Sequence, residues 1–140
     1  MDLESKLSLE LDEPAALAFL EESEGTLERE KGTEGVYWLT LRPKPAREEL
    51  FYVRMAWSVY PHRAPSVLFR DAVGSPTGSA RAWPGIVGYQ PSNNRICKPF
   101  TAEGMAAHGE WRWTSTGNPF LWVVTVLQDD LDTKFTRRAG

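Results

Sequence analysis

The sequence contains little cysteine and histidine and has no long apolar run. One cysteine and two histidines occur in 140 residues, so the chain cannot form an internal disulfide, and nothing in it indicates an oxidising compartment. These three residues also lack the ligand spacing of a zinc site, so we expect no metal. The longest apolar run, residues 120–127 with one Thr, is too short to cross a bilayer. The sequence therefore predicts no membrane partner.

Signals for targeting and for binding nucleic acids or nucleotides are missing as well. Residues 1–5 contain no basic stretch followed by an apolar one, so we expect no signal peptide and a cytoplasmic protein. No run of Lys and Arg and no aromatic–glycine motif occurs, which predicts no nucleic-acid partner. The glycine-rich run at residues 74–79 lacks the Lys of a phosphate-binding loop.

The net charge is small overall but unevenly distributed. Residues 1–34 carry eleven acids and three bases, which gives −8, and residues 35–140 carry eight acids and thirteen bases, which gives +5. Their sum is the overall net charge of −3. We interpret the acidic part either as a solvated helix face or as a surface for a basic partner. We expect a single domain, 1–140, with an acidic N-terminal segment at 1–12 and a flexible tail at 133–140.

The first predicted helix covers residues 13–23. Asp12 can cap this helix, and Pro14 suits its first turn. The leucines before it alternate at positions 7, 9 and 11, which leaves open a strand or an additional helical turn.

Four strands are expected to follow, at residues 26–30, 36–41, 50–60 and 66–70. The third strand alternates most clearly, and its apolar face comprises Phe51, Val53, Met55, Trp57 and Val59. Short connections between the strands favour an antiparallel meander with one face covered by helix.

Two further helices have clear start signals. Thr101 can cap a short helix that runs to His108. Asn118 as a cap followed by Pro119 in the first position is typical of a helix start. The apolar stripe of this last helix comprises Phe120, Val124, Leu127 and Leu131. The sequence thus predicts an α+β fold: a four-stranded antiparallel meander, an N-terminal helix and one helix packed across the sheet.

The only cysteine lies in an unusual position. Cys97 follows a polar turn at residues 92–95 and one Ile, inside a long segment with little predicted regular structure, residues 71–117. The thiolate is the nucleophilic form of cysteine, and the flanking Arg95 and Lys98 favour an anion. We interpret Cys97 either as a nucleophile or as a small buried core residue. The polar residues on both sides argue against a core strand.

Other candidate site residues each have two interpretations. His108 is a candidate to deprotonate an incoming amine or to orient the thiolate, and is otherwise an exposed histidine. Asn93 is a candidate to donate its amide to an oxyanion, and is otherwise a turn residue. Tyr89 either donates through its hydroxyl or forms the wall of a groove. His62 is expected to be structural or exposed, and Glu103 and Glu110 are expected to be ordinary helix-surface acids.

The order of these parts resembles the ubiquitin-conjugating enzyme family over residues 14–131. Residues 60–69 read YPHRAPSVLF, which is similar to the family's signature of Tyr-Pro, a second Pro and a closing Phe. Residues 93–97 read NNRIC, which is similar to its Asn-Gly-x-Ile-Cys approach to the active cysteine. Asn94 can take the left-handed conformation where the family has Gly. Either Trp111 or Trp113 is similar to the family's tryptophan after the cysteine.

The sequence also departs from the family pattern. Residues 87–89 read VGY where the family usually has His-Pro-Asn, Trp111 comes fourteen positions after Cys97, which is longer than the family norm, and one covering helix is present where three are usual. The resemblance is therefore to a divergent, minimal member, closer to the bacterial relatives found beside ubiquitin-like modifiers. In such a member, Asn93 or Tyr89 would replace the missing Asn.

The resemblance implies a function and a set of partners. Cys97 would carry a ubiquitin-like modifier as a thioester and transfer it to an acceptor amine, with Asn93 and His108 in catalytic roles. The implied partners are a ubiquitin-like modifier, a ubiquitin-activating-like enzyme and a protein substrate. No cofactor is expected, because the activating enzyme uses the ATP. The alternatives are a catalytically silent binding or scaffold module and a cysteine hydrolase, for which the sequence offers no evident group to orient His108.

Overall fold

A computed structural model of the protein describes residues 1–114 and 116–140. Within these residues the helices are α1 (Leu3–Glu22), α2 (Ala102–Ala107) and α3 (Pro119–Lys134). The strands are β1 (Thr26–Arg29), β2 (Val36–Leu41), β3 (Phe51–Ala56), β4 (Ser66–Arg70), β5 (Tyr89–Gln90) and β6 (Arg95–Ile96). None of the described helices has the length and apolar content needed to cross a bilayer.

The first four strands form one antiparallel sheet in the order β1-β2-β3-β4. Leu39 pairs with both Leu27 and Val53, and Val53 pairs in turn with Phe69. With α1 before this sheet and α3 packed on it, the predicted α+β fold with a four-stranded antiparallel meander is confirmed. The predicted bounds of β2 and β4 are correct, whereas β3 ends at Ala56, before the prolines of the next turn.

Phe69 lies at the centre of the aromatic core and is fully buried. Its ring centroid lies 5.8 Å from those of Phe51 and Tyr89 and 5.1 Å from that of Trp83.

We expect Phe69→Ala to lower the free energy of unfolding by about 3–5 kcal/mol, because a cavity replaces the ring. Urea denaturation would measure this loss. Leu11→Ala, at a side chain that is 81% exposed, should change it by less than about 0.5 kcal/mol. Equal stability of the two variants would contradict the assignment of this sheet face to the core.

The first helix begins earlier than predicted. α1 starts at Leu3, and the Asp2 carboxylate caps it by accepting a hydrogen bond from the Ser5 backbone N–H at 2.8 Å. The prediction of a start at residue 13 with Asp12 as the cap is wrong. Residues 3–12 belong to this helix and do not form a separate acidic segment.

Tertiary contacts explain why the helix continues through its proline. The buried residues of α1 are Ser5, Leu9, Ala16 and Leu20. Pro14 lies on the exposed side, where the carbonyl group of Glu10, which loses its helical partner, can bind water. The Ser5 hydroxyl accepts a hydrogen bond from the Tyr60 backbone N–H at 3.1 Å, which fixes the first turn of α1 against the connection between β3 and β4.

The last helix begins as predicted. The Asn118 side chain accepts a hydrogen bond from the Leu121 backbone N–H at 2.9 Å, and Pro119 occupies the first helical position. The predicted apolar stripe is buried throughout. The ring of Phe120 lies 4.8 Å from that of Tyr37 and 5.6 Å from that of Trp57, so the start of α3 covers this part of the sheet.

The segment between β4 and α3 is more regular than predicted. β5 and β6 form a short antiparallel hairpin in which Tyr89 pairs with Ile96 and Gln90 with Arg95. Trp83, in the same segment, is fully buried against Phe69. Residue 115 is the one position of this segment that lies outside the described residues.

The C-terminal segment is docked, which corrects the expectation of a flexible tail at 133–140. Arg138 forms an ion pair with Glu49 at 2.7 Å, and its guanidinium carbon lies 4.2 Å from the ring centroid of Phe51. The Ala139 backbone N–H donates to the Trp83 carbonyl at 3.0 Å. These partners are distant in sequence, so local composition did not indicate them.

Candidate active site

Cys97 lies at the base of the β5–β6 hairpin and is partly exposed. Its backbone N–H donates to the Gly88 carbonyl at 2.7 Å, which extends the hairpin pairing by one residue. At the tip, Asn94 has φ 50° and ψ 50°, so the predicted left-handed conformation is confirmed. The polar turn therefore closes the hairpin and directs the chain into Cys97.

Side-chain hydrogen bonds join the start of helix α2 to the cysteine segment and to strand β4. The Thr101 hydroxyl donates to the Ile96 carbonyl at 2.7 Å and accepts from the Gly104 backbone N–H at 2.9 Å. The Glu103 carboxylate accepts hydrogen bonds from the Val67 backbone N–H at 3.0 Å and from the Ser66 hydroxyl. The interpretation of Glu103 as an ordinary surface acid is wrong, because it ties α2 to β4.

Gly104 permits the close approach of α2 to the residue after the cysteine. A Cβ atom at this position would lie 2.1 Å from the Lys98 carbonyl oxygen and 2.7 Å from the Lys98 backbone nitrogen. A side chain of any size would therefore push α2 away from Cys97.

We expect Gly104→Ala to lower the free energy of unfolding. Helix propensity alone predicts the opposite sign, a gain of up to about 1 kcal/mol for Gly to Ala. The matched control is Gly109→Ala, because a Cβ atom at Gly109 meets nothing within 4 Å. Urea denaturation of both variants would test the packing, and a stabilised Gly104→Ala variant would contradict it.

The structure brings Cys97 and His108 together. His108 is the C-terminal cap of α2, and its Nε2 lies 3.1 Å from the Cys97 Sγ. The imidazole ring stacks on the indole of Trp111 with centroids 3.9 Å apart and an interplanar angle of 19°. This stacking restricts the rotation of the ring and keeps Nε2 directed at the sulfur.

An acidic group lies on the other side of the imidazole. The His108 Nδ1 lies 3.5 Å from the Glu110 Oε1, and the two side chains are 38% and 73% exposed. A proton on Nδ1 held toward Glu110 leaves the lone pair of Nε2 facing the thiol. This is the arrangement of a nucleophile, a base and an orienting acid. The expectation that Glu110 is an ordinary helix-surface acid is corrected: it lies beyond α2 and contacts His108.

Asn93 is not brought to the cysteine. It lies at the exposed tip of the hairpin, and its side-chain amide donates to the Gln90 Oε1 at 3.2 Å. Cys97 lies at the base, three to four residues along the strand, which at about 3.3 Å per residue separates the two by roughly 10 Å. Of its two interpretations, the structure therefore supports that of a turn residue.

A buried carboxylate, that of Asp130, binds three side chains near the cysteine, including that of Lys98, the next residue along the chain. The side chain of Asp130 accepts hydrogen bonds from the Tyr89 hydroxyl at 2.7 Å, the Lys98 ammonium at 3.1 Å and the Lys134 ammonium at 3.0 Å. Burial opposes its ionisation, but these three donors hold the pKa of Asp130 below its usual value. Tyr89 is thus a buried residue whose hydroxyl is bound to Asp130, and the charge of Lys98 is paired with Asp130 and not free for the sulfur.

A cleft of about 530 Å³ opens beside Cys97. Its lining comprises Gly85, Ile86, Val87, Gly88, Cys97, Lys98 and Lys134. Because Cys97 is one of the lining residues, an acyl group can approach the sulfur from this side. Within residues 1–114 and 116–140, no three side chains of His, Cys, Asp or Glu lie close enough together to hold a metal ion.

The sequence analysis named Cys97 and His108, which the structure brings together, but did not name Glu110 as a partner of the imidazole. The available signal was an acid two residues after the candidate histidine, next to a tryptophan. Comparisons with protein-family models, with curated proteins and with solved structures find no match for this chain. The resemblance to the ubiquitin-conjugating enzyme family therefore stays a prediction from the motifs in the sequence.

Proposed function

We propose that the protein is a conjugating enzyme for a ubiquitin-like modifier, which it carries as a thioester on Cys97 and transfers to an acceptor amine. The observation that carries this proposal is the 3.1 Å contact between the Cys97 Sγ and the His108 Nε2 beside an open cleft. The order of elements around it is the one expected from the resemblance. The partners are a ubiquitin-like modifier, an activating enzyme and a protein substrate.

The chemistry requires two acyl transfers. In the first, the Cys97 thiol gives its proton to the His108 Nε2, and its sulfur attacks the carbonyl carbon of the activating enzyme's thioester. A new C–S bond forms, the old one breaks, and the proton passes to the departing thiolate. In the second, an amine attacks the Cys97 thioester, a C–N bond replaces the C–S bond, and the amine gives its proton to His108, which passes it to the departing Cys97 thiolate.

A cysteine hydrolase is the second candidate, and Glu110 is the observation that favours it. The contact between Glu110 and His108 supplies the orienting group that the sequence did not offer. In that reaction water, not an amine, would attack the acyl group on Cys97. The scaffold alternative would require that Cys97 never carries an acyl group.

One experiment separates the three functions. The native chain is mixed with a labelled peptide thioester ending in Gly-Gly, and separately with a candidate modifier, its activating enzyme and ATP. A conjugating enzyme forms a band that a thiol reagent removes, and added lysine consumes this band faster than water does. A hydrolase releases free peptide acid equally fast without lysine. A native chain that binds the modifier but never forms the labile band would contradict the proposal and favour the scaffold.

A further inference from the structure

A buried arginine at the end of β4 has no carboxylate partner. Arg70 is only 9% exposed, and its Nη1 donates to the Phe69 carbonyl at 3.2 Å and the Asn94 Oδ1 at 3.0 Å. In residues 1–114 and 116–140, no carboxylate oxygen lies within 4.0 Å of its guanidinium nitrogens. Both of its acceptors are uncharged, and a buried cation without a counter-ion is costly.

Arg70 lines a cavity of about 360 Å³, and two further arginines contribute to the same cavity. Its polar lining comprises Tyr52, Arg70, Asp71, Ser79, Arg81 and Arg138. Arg138 is paired with Glu49 at 2.7 Å. The exposed side chain of Arg81 forms no hydrogen bond or ion pair within the described part of the chain. The guanidinium groups of Arg70 and Arg81 therefore form no ion pair within the described residues, although the charges of Asp71 and Glu103 act on Arg70 from a longer distance.

The single carboxylate in the lining, that of Asp71, balances only one of these positive charges. Asp71 accepts hydrogen bonds from the Ser79 backbone N–H and hydroxyl, both at 2.8 Å, and from the Thr77 hydroxyl at 3.1 Å. These donors hold the pKa of Asp71 below its usual value, so the group is ionised at neutral pH. Three arginines against Asp71 and Glu49 leave one net positive charge at the cavity.

We propose that this cavity is a binding site for a phosphate group, held by Arg70 and Arg81. The planar guanidinium group presents pairs of N–H donors that match the oxygens of phosphate, and two such groups suit a dianion. The volume exceeds that of free phosphate, which allows a phosphomonoester with part of its organic group. This site is separate from Cys97 and does not depend on the conjugating function.

The test measures binding of inorganic phosphate and phenyl phosphate to the native chain by isothermal titration calorimetry, at constant ionic strength. We expect one site per chain, and a melting temperature that rises with phosphate concentration because the ligand binds the folded state. Arg81→Gln should weaken binding at least about tenfold, since charge-assisted hydrogen bonds are lost. Arg70→Gln should do the same, and the exposed Arg81 is the variant to rely on if Arg70→Gln unfolds. Phenyl phosphate binding more tightly than phosphate identifies a monoester as the ligand, and equal affinities identify free phosphate.

Two controls make the result decisive. Arg63→Gln removes an exposed arginine outside the cavity and should leave the affinity unchanged. Asp71→Asn should tighten binding, because it removes the repelling charge while its amide oxygen can still accept from Ser79. Absence of binding to the native chain, an equal loss in Arg63→Gln, or acetate binding as tightly as phosphate would overturn the proposal.

Discussion

Cys97→Ala is expected to abolish formation of the thiol-labile adduct between the chain and a ubiquitin-like modifier. Cys97 is the only cysteine of the sequence, so a labile acyl group on this chain can have no other thiol as its carrier. The expected change is from complete loading to none, the largest effect of any substitution considered.

Cys97→Ser should show whether the reaction requires a sulfur atom at this position, because serine places an oxygen nucleophile there. An oxygen ester is far less reactive toward amines than a thioester, and serine is the weaker nucleophile. The serine variant should therefore give a band that survives thiol treatment, or no band at all. The measurement is gel electrophoresis of the reaction with and without thiol reagent. A labile band on the serine variant would show that the modifier is attached elsewhere by another chemistry.

The strands and the last helix could be predicted because their signals are local. Alternating apolar residues marked β3, and the pair Asn118-Pro119 marked the start of α3. The left-handed Asn94 followed from the tolerance of Asn for that conformation. In each of these places the residues that determine the structure are neighbours in the sequence.

The errors occurred where distant contacts decide the structure. Pro14 indicated a helix start, but the contact between Ser5 and Tyr60 holds ten further residues in α1. Strands β5 and β6 have two residues each, which is too short for an alternation pattern to be detected. The docking of the tail depends on the ion pair between Arg138 and Glu49. These two residues are far apart in the sequence, so no local pattern indicates that they pair.

Only part of the candidate site could be predicted, again because contacts between residues distant in sequence determine which side chains meet. Cys97 and His108 have residue types that carry chemistry, so both could be named from the sequence, although only α2 brings them within 3.1 Å. Asn93 was named because an oxyanion donor was needed, but the hairpin places it at the opposite end from the sulfur. The hydrogen bond between Tyr89 and Asp130 joins residues from two elements whose packing the sequence pattern did not indicate.

Replacing His108 by Gln is expected to slow the transfer of the acyl group from Cys97 to an amine by about 10²–10⁴-fold, the usual contribution of a general base. Gln preserves the approximate size and polarity of the side chain but cannot accept the proton of the amine. The matched control is His62→Gln, because His62 is the only other histidine and its side chain is 60% exposed near Glu4. That control should transfer at the native rate.

Glu110→Gln should have a much smaller effect than His108→Gln. The carboxylate is largely exposed and lies 3.5 Å from the Nδ1, and exposed ion pairs contribute about 0.2–1 kcal/mol, which corresponds to at most about fivefold in rate. The measurement is single-turnover decay of preloaded enzyme in excess lysine, so that loading and transfer are separated. Transfer by His108→Gln at the rate of His62→Gln would contradict the role of the imidazole as the base. A loss with Glu110→Gln as large as that with His108→Gln would show that the acid is essential for holding the imidazole in its reactive orientation.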